Sequence, residues 1–196
     1  METFKTIKIK DSYKQIVDDF VAEEIPFTIN INNVELATLL CSPSHLKELA
    51  TGFLFSSGII KNYEEIKKIV IDDKNWLCHV KLRSKINIKL FNKRLYTSGC
   101  GRGILFYNAM DKMHGTKNKS SLEIKVSNIV KLMSDFQKRS ELFIKTGGTH
   151  SAAMADNDRI TIFMEDIGRH NAIDKVIGAA LIKNIGQVEA NNVKIV

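Results

Sequence analysis

Residues 159–183 pass from a short strand pattern straight into a long helical one, and the junction carries Glu165, Asp166, Gly168, Arg169 and His170. A polar, glycine-bearing turn from strand to helix is the connection of an α/β sheet, where ligands favour the carboxyl ends of strands. The chain is therefore read as α/β. Its 196 residues, 44% apolar and 26% charged, suit one domain of ordinary size with a small subdomain.

The remaining elements follow from periodicity and turn chemistry. Residues 6–10 alternate like a half-buried strand, and residues 26–41 read as a hairpin around Asn32-Asn33. Ser42-Pro43 is expected to open a helix with Ser42 as its N-cap, Leu46, Leu49, Ala50, Phe53 and Leu54 on its apolar face, and Gly58 as its stop. Asn62 with Glu65 forms a capping pattern before a short helix. Strands follow at 69–71, 76–82 and 86–91, then a glycine-rich loop at 97–103 and a helix at 104–113. Ser127 is expected to cap an amphipathic helix carrying Ile129, Leu132, Met133 and Phe136. Strands are read at 151–155 and 159–164, a helix at 167–183, and the opening of another strand at 193–196. An α/β chain that stops as a strand begins is expected to be incomplete. The chain divides into residues 1–95, β-rich with one helix, and residues 96–196.

Composition excludes several classes. No apolar run is long enough for a membrane span, and the first residues have neither an apolar core nor a cleavage site, so a cytoplasmic location without a membrane partner is expected. Cys41, Cys78 and Cys100 are odd in number and far apart, which argues against a disulfide framework. The net charge of +7 favours anionic partners, although lysine spread along the chain also fits a merely basic surface. Aromatic RNA-binding motifs are missing, so no nucleic-acid partner is expected.

Three places carry chemistry. Cys100 has glycine on both sides, Arg102 two residues on and a helix pattern behind it. A helix start and a guanidinium both favour thiolate over thiol, and the glycines leave the sulfur approachable. The commonest fate of a free cysteine is a small buried apolar residue, which is the reading for Cys41 and Cys78 inside apolar strand patterns. Thr146-Gly147-Gly148-Thr149-His150 offers backbone amides to an anion and His150 as a proton donor, and a turn with an incidental histidine fits it equally well. In the third segment His170 and Asp174 stand four apart on one helical face, so Asp174 is placed to orient the imidazole. Asp166 also fits an N-cap, and Arg169 a partner of Glu165.

Thr97-Ser98-Gly99-Cys100-Gly101, Thr146-Gly147-Gly148-Thr149-His150-Ser151-Ala152-Ala153 and the run from Glu165-Asp166-Ile167-Gly168-Arg169-His170 to Gly178 resemble the FdhD family, sulfur carriers required for formate dehydrogenase activity. Glu48-Leu49-Ala50-Thr51-Gly52-Phe53 and the residues up to Ile60 resemble that family's amino-terminal signature, so four motifs in family order span roughly residues 26–178. The resemblance implies a cytidine deaminase-like core, a mixed sheet flanked by helices, in the second part of the chain, with a smaller N-terminal β-rich subdomain. It implies a persulfide on Cys100, loaded by a cysteine desulfurase. The sulfur would pass to the molybdenum or tungsten bis(molybdopterin guanine dinucleotide) cofactor destined for formate dehydrogenase, with no tightly bound cofactor of the carrier's own. Gly147, Gly148, His150, Arg169, His170 and Asp174 are then expected to line the site for that client or a guanine nucleotide, in a homodimer without a metal site. Two departures stand out. The family often has Cys-Gly-x-Cys, whereas here Cys100-Gly101-Arg102-Gly103 lacks the second thiol, and the family's carboxy-terminal region has no match in this chain.

Three other readings compete. A zinc deaminase needs His-x-Glu and Pro-Cys-x-x-Cys, and neither occurs. A non-catalytic binder of guanine nucleotide or molybdopterin cofactor would use the charge and the glycine loops and leave Cys100 incidental. A dimeric partner scaffold would use the strand at the chain end.

Overall fold

A computed structural model describes residues 1–84, 94–96, 123–185 and 194–195. The strand expected at 86–91, the loop at 97–103 with Cys100, and the helix at 104–113 lie outside the described residues.

Strands β1 (Glu2–Lys10) and β2 (Tyr13–Val21) form a two-stranded antiparallel hairpin of their own. Asp11 and Ser12 join them with φ of 47° and 72°, the left-handed pair of a tight hairpin turn. Strands β3 (Ile25–Ile31) and β4 (Val34–Cys41) make the expected hairpin, with Asn32 and Asn33 at φ 48° and 67°. Together with β5 (Ile66–Asp72), β6 (Leu77–Leu82) and β7 (Arg94–Tyr96) they build a sheet in the order β5-β6-β3-β4-β7. The β3–β6 and β4–β7 pairings are parallel and the other two antiparallel, so the sheet is mixed.

Helix α1 (Leu46–Ser56) lies on this sheet, its Leu49, Phe53 and Leu54 packed with Phe27, Ile29 and Leu39. It starts later than the sequence suggests: His45, at φ 54°, is the N-cap. Ser42 is not available for capping, because its hydroxyl accepts the N–H of Ile167 across the molecule. The helix ends as expected, at Gly58 with φ 68°, whose N–H reaches the Phe55 carbonyl. The Asn62 pattern holds also: its side chain accepts from Glu65 N at a single turn, Tyr63–Glu65.

Helix α2 (Val126–Arg139) is present, but Lys125 occupies its N-cap and Ser127 lies inside the helix. A short helix α3 (Glu141–Thr146) follows, which periodicity did not reveal. Strands β8 (His150–Ala155) and β9 (Ile160–Asp166) pair antiparallel, and β10 (Lys194–Ile195) joins β8 to complete a second sheet. Helix α4 (Arg169–Ile182) covers one face of this sheet through Ala172, Val176 and Ala179 against Ala152, Met154 and Ile162. Leu132 and Phe136 of α2 cover the other face, over Ala153 and Ile160.

Helices α1 and α4 pack against each other, so the layers run five-stranded sheet, α1 with α4, three-stranded sheet, α2. The helix contact depends on two glycines. A Cβ on Gly52 would stand 1.8 Å from the Asp174 carbonyl oxygen, and one on Gly178 would stand 1.9 Å from that of Glu48. Backbone approach this close admits no side chain.

Candidate functional site

Strand β8 begins at His150 and β9 ends at Asp166, and these two residues face each other in the antiparallel register, as do Ser151 and Glu165. The Thr146–His150 segment and the 165–175 segment, 15 positions apart in sequence at their nearest, therefore meet at one sheet end, where α4 starts.

Asp166 is the centre of that end and is fully buried. Its Oδ1 accepts Gly168 N–H at 2.8 Å and Asn171 Nδ2 at 3.0 Å, and its Oδ2 accepts Ser42 N–H at 3.0 Å. Lys175, equally buried, brings its Nζ to 2.6 Å from Oδ2 and donates to the carbonyls of Glu165 and Ser42. Asp166 thus does more than the N-cap role read from sequence: Gly168 is the N-cap, and Asp166 ties β9, the end of β4 and the first two turns of α4 together. Asn171 also donates to the Leu40 carbonyl at 2.8 Å, a second tie from α4 to β4.

Glu165 does not need Arg169 to explain it. Its two carboxylate oxygens accept the N–H groups of Leu142 and Phe143 at 3.1 and 3.0 Å, capping α3 from outside. That contact positions the loop which follows. Gly147 closes α3 at φ 64°, its N–H on the Phe143 carbonyl, and Gly148 N–H reaches Thr146 Oγ1 at 3.2 Å. Gly147, Gly148 and His150 are exposed.

On the helix, Arg169 is exposed and His170 half-buried in the first turn of α4. The positive end of that 14-residue helix and the Arg169 guanidinium favour an anion. Asp174 lies deeper. It is buried between α4 and α1, where its Oδ1 accepts the Ser56 hydroxyl at 2.7 Å. Beside the loop, a cleft of about 420 Å³ is lined by Phe136, Ser140, Phe143, Thr149, His150 and Ser151. Thr149 Oγ1 is buried there with no hydrogen-bond partner among the described residues. Among the described residues no His, Cys, Asp and Glu side chains group closely enough to hold a metal ion.

The two other thiols match the sequence reading as buried apolar residues. Burial, and then the Asp166 carboxylate, push the Cys41 thiol far above its ordinary range, and burial pushes Cys78 up to about 12. Neither is a nucleophile at neutral pH. Sequence reasoning missed Ser56, which carries no local signal, and read Ser42 only as a helix cap. It passed over Lys175, whose signal was available: a lone lysine on the apolar Ala172–Val176–Ala179 face of a helix.

Residues 22–193 match the model of the FdhD/NarQ family. The Bacillus licheniformis sulfur carrier protein FdhD is 41% identical over 170 residues, covering 86% of this chain and 65% of the relative. The Bacillus subtilis protein of the same name is 37% identical over 171 residues, again 86% of this chain and 65% of the relative. The chain thus spans a little under two thirds of the length of these curated relatives. The crystal structure of a candidate formate dehydrogenase accessory protein from Desulfotalea psychrophila superposes with a TM-score of 0.73 at 25% identity, covering 99% of this chain and 73% of that one. Four motifs in order, a mixed α/β architecture and a match over most of its length lead to one conclusion: the chain belongs to the FdhD/NarQ family.

Proposed function

We propose that this protein is a sulfur carrier that takes persulfide sulfur from a cysteine desulfurase and passes it to the molybdenum or tungsten bis(molybdopterin guanine dinucleotide) cofactor for formate dehydrogenase. The observation that carries the reading is the similarity over 86% of the chain to proteins named sulfur carriers. The solved accessory-protein relative supports formate dehydrogenase as the enzyme served.

Cys100 is the carrier thiol in this reading, and the buried, protonated state of Cys41 and Cys78 supports the choice by elimination. Loading is a sulfane transfer: the Cys100 thiolate attacks the terminal sulfur of the desulfurase persulfide, a new S–S bond forms, and the desulfurase thiolate leaves. No net oxidant is consumed. Arg169 and the α4 N-terminus attract the phosphates of the client, the Gly147-Gly148 backbone admits close approach, and His150 and His170 hold or give protons at the transferring sulfur.

Intact-mass spectrometry after incubation with a cysteine desulfurase and cysteine tests this, comparing wild type with Cys100→Ala. The expected result is a gain of one sulfur atom that disappears on reduction and in the variant. No gain in a folded wild-type chain, or an undiminished gain in Cys100→Ala, overturns it.

A further inference from the structure

The five-stranded sheet has one face under α1, and its other face carries a concentration of positive charge. On β6, Cys78, Val80 and Leu82 point into the α1 core, so His79, Lys81 and Arg83 alternate onto the outer side. On β5, Ile69 and Ile71 pack with the same core, which leaves Lys68 and Val70 on that outer side. The antiparallel register then sets Lys68 directly opposite Lys81 and Val70 opposite His79. Two lysines in one cross-strand pair repel, with Cβ atoms about 5 Å apart, and a carboxylate in either place would relieve them.

No such carboxylate is supplied among the described residues, where neither lysine nor Arg83 has an acidic partner. Arg83 is held with its Nε on the Glu64 carbonyl at 2.7 Å. The acids near by in sequence are used elsewhere: Asp72 accepts the N–H groups of Lys74 and Asn75, and Glu65 accepts that of Lys61. Around the three cations is a cavity of about 560 Å³, whose wall also includes His79, Asn33 and Ser84 and contains no Asp or Glu. Its rim is braced, because Asn32 Oδ1 accepts Leu82 N–H and Asn32 N–H reaches the Val80 carbonyl, fixing the β3–β4 turn against β6. Every charged group facing this space is a hydrogen-bond donor, so its chemistry selects an anion with acceptor oxygens on several sides. The volume suits a small ligand, and the wall has no Phe, Tyr or Trp on which a base could stack.

We propose that this cavity binds a compact oligophosphate, inorganic pyrophosphate or a longer homologue, shared between the Lys68–Lys81 pair and Arg83. Two adjacent phosphoryl groups suit an opposed lysine pair, since each ammonium takes one of them and the repulsion between the lysines becomes attraction to a common anion. The cavity is at the Asn32-Asn33 end of β3, whereas Cys41 and Ser42 meet the α4 junction at the other end, roughly 20 Å along the strand. The site is therefore separate from Arg169, and the inference is independent of sulfur chemistry.

Amide NMR spectra of the isotope-labelled full chain, titrated with sodium pyrophosphate at constant ionic strength, test it beside the variant Lys68→Gln/Lys81→Gln. The expected result is saturable shifts at Asn33, Lys81 and Ser84, with affinity about tenfold or more weaker in the variant. Without ligand the variant should melt no lower than wild type, because it loses a repulsion and no partner. Absence of shifts at those amides overturns the proposal, as does equal binding by the variant or an equal response to sodium chloride, which is screening alone. Tighter binding of a hexaglutamate peptide at the same amides overturns it in favour of an acidic polypeptide, and tighter binding of guanosine diphosphate there overturns it in favour of a nucleotide.

Discussion

Lys175 Nζ lies 2.6 Å from Asp166 Oδ2, and neither side chain reaches solvent. The pair is not equivalent from its two ends. Among the described residues Asp166 keeps three N–H donors without Lys175, from Ser42, Gly168 and Asn171, whereas Lys175 without Asp166 keeps two carbonyls. Asp166→Asn should therefore cost the upper part of the about 3–5 kcal/mol range for breaking a buried pair, and Lys175→Met the lower part. Urea unfolding of both and of the double variant measures the coupling. Additive costs, within about 0.5 kcal/mol, would show that the ammonium and carboxylate do not depend on each other.

Gly52 and Gly178 put two opposing effects on one scale. Alanine in an exposed helix is better than glycine by about 1 kcal/mol. Here each new Cβ would fall within 2 Å of a backbone oxygen of the other helix, 1.8 Å for Gly52 and 1.9 Å for Gly178. A rigid backbone neighbour cannot rotate away, so the overpacking cost, about 1–3 kcal/mol or more, wins. Gly52→Ala and Gly178→Ala should each lower Tm by several degrees. A rise in Tm would mean that α1 and α4 are not held this close in solution.

What was legible in the sequence was local. The Asn32-Asn33 turn, the Gly58 stop and the small-residue strand before the 165–175 motif depend on backbone conformations that a few neighbouring residues dictate, and each is where the residues put it. Strand β2 was hidden by Asp18-Asp19 and by a turn, Asp11-Ser12, that lacks glycine. Helix α3 was hidden by its length, since six residues carry too little periodicity, and its stability comes from Glu165, more than 20 positions away. At the site, the polar junction at the end of β9 was readable, and its meeting with His150 follows from adjacent antiparallel strands. Ser42 was misread because its partners are 124 and 125 residues distant, and a serine before proline has a plausible local use. Tertiary contacts overrode the capping preference there.

Glu165 makes a prediction about order, not activity. A six-residue helix is too short to persist by itself, and both N–H groups at its start depend on this carboxylate. Glu165→Ala removes two charge-assisted bonds, together about 1–3 kcal/mol of local stability. Hydrogen exchange at Leu142 and Phe143 should speed up about tenfold or more while amides of β9 change little. Unchanged exchange at those two positions would refute the capping role.

The buried thiols give a pH dependence with a definite sign. Cys78 keeps its proton up to about 12 when folded, against 9.0 for an ordinary thiol. Between those values the unfolded chain releases a proton that the native chain retains, so stability is full below pH 9 and falls as pH rises. By pH 10.5 the loss attributable to one such thiol approaches about 2 kcal/mol, at about 1.4 kcal/mol per pH unit. Cys41, pushed up in the same direction, adds to the slope. Replacing Cys78 by Ala leaves a constant cavity cost but removes its share of the slope, so the Tm of the variant should fall less steeply between pH 8.5 and 10.5 than that of wild type. In a Cys100→Ala background the two remaining thiols should also resist a disulfide reagent at pH 8 until denaturant is added. Parallel Tm slopes, or prompt reaction of either thiol in the native chain, would show that these cysteines reach water and would reopen the choice of carrier thiol.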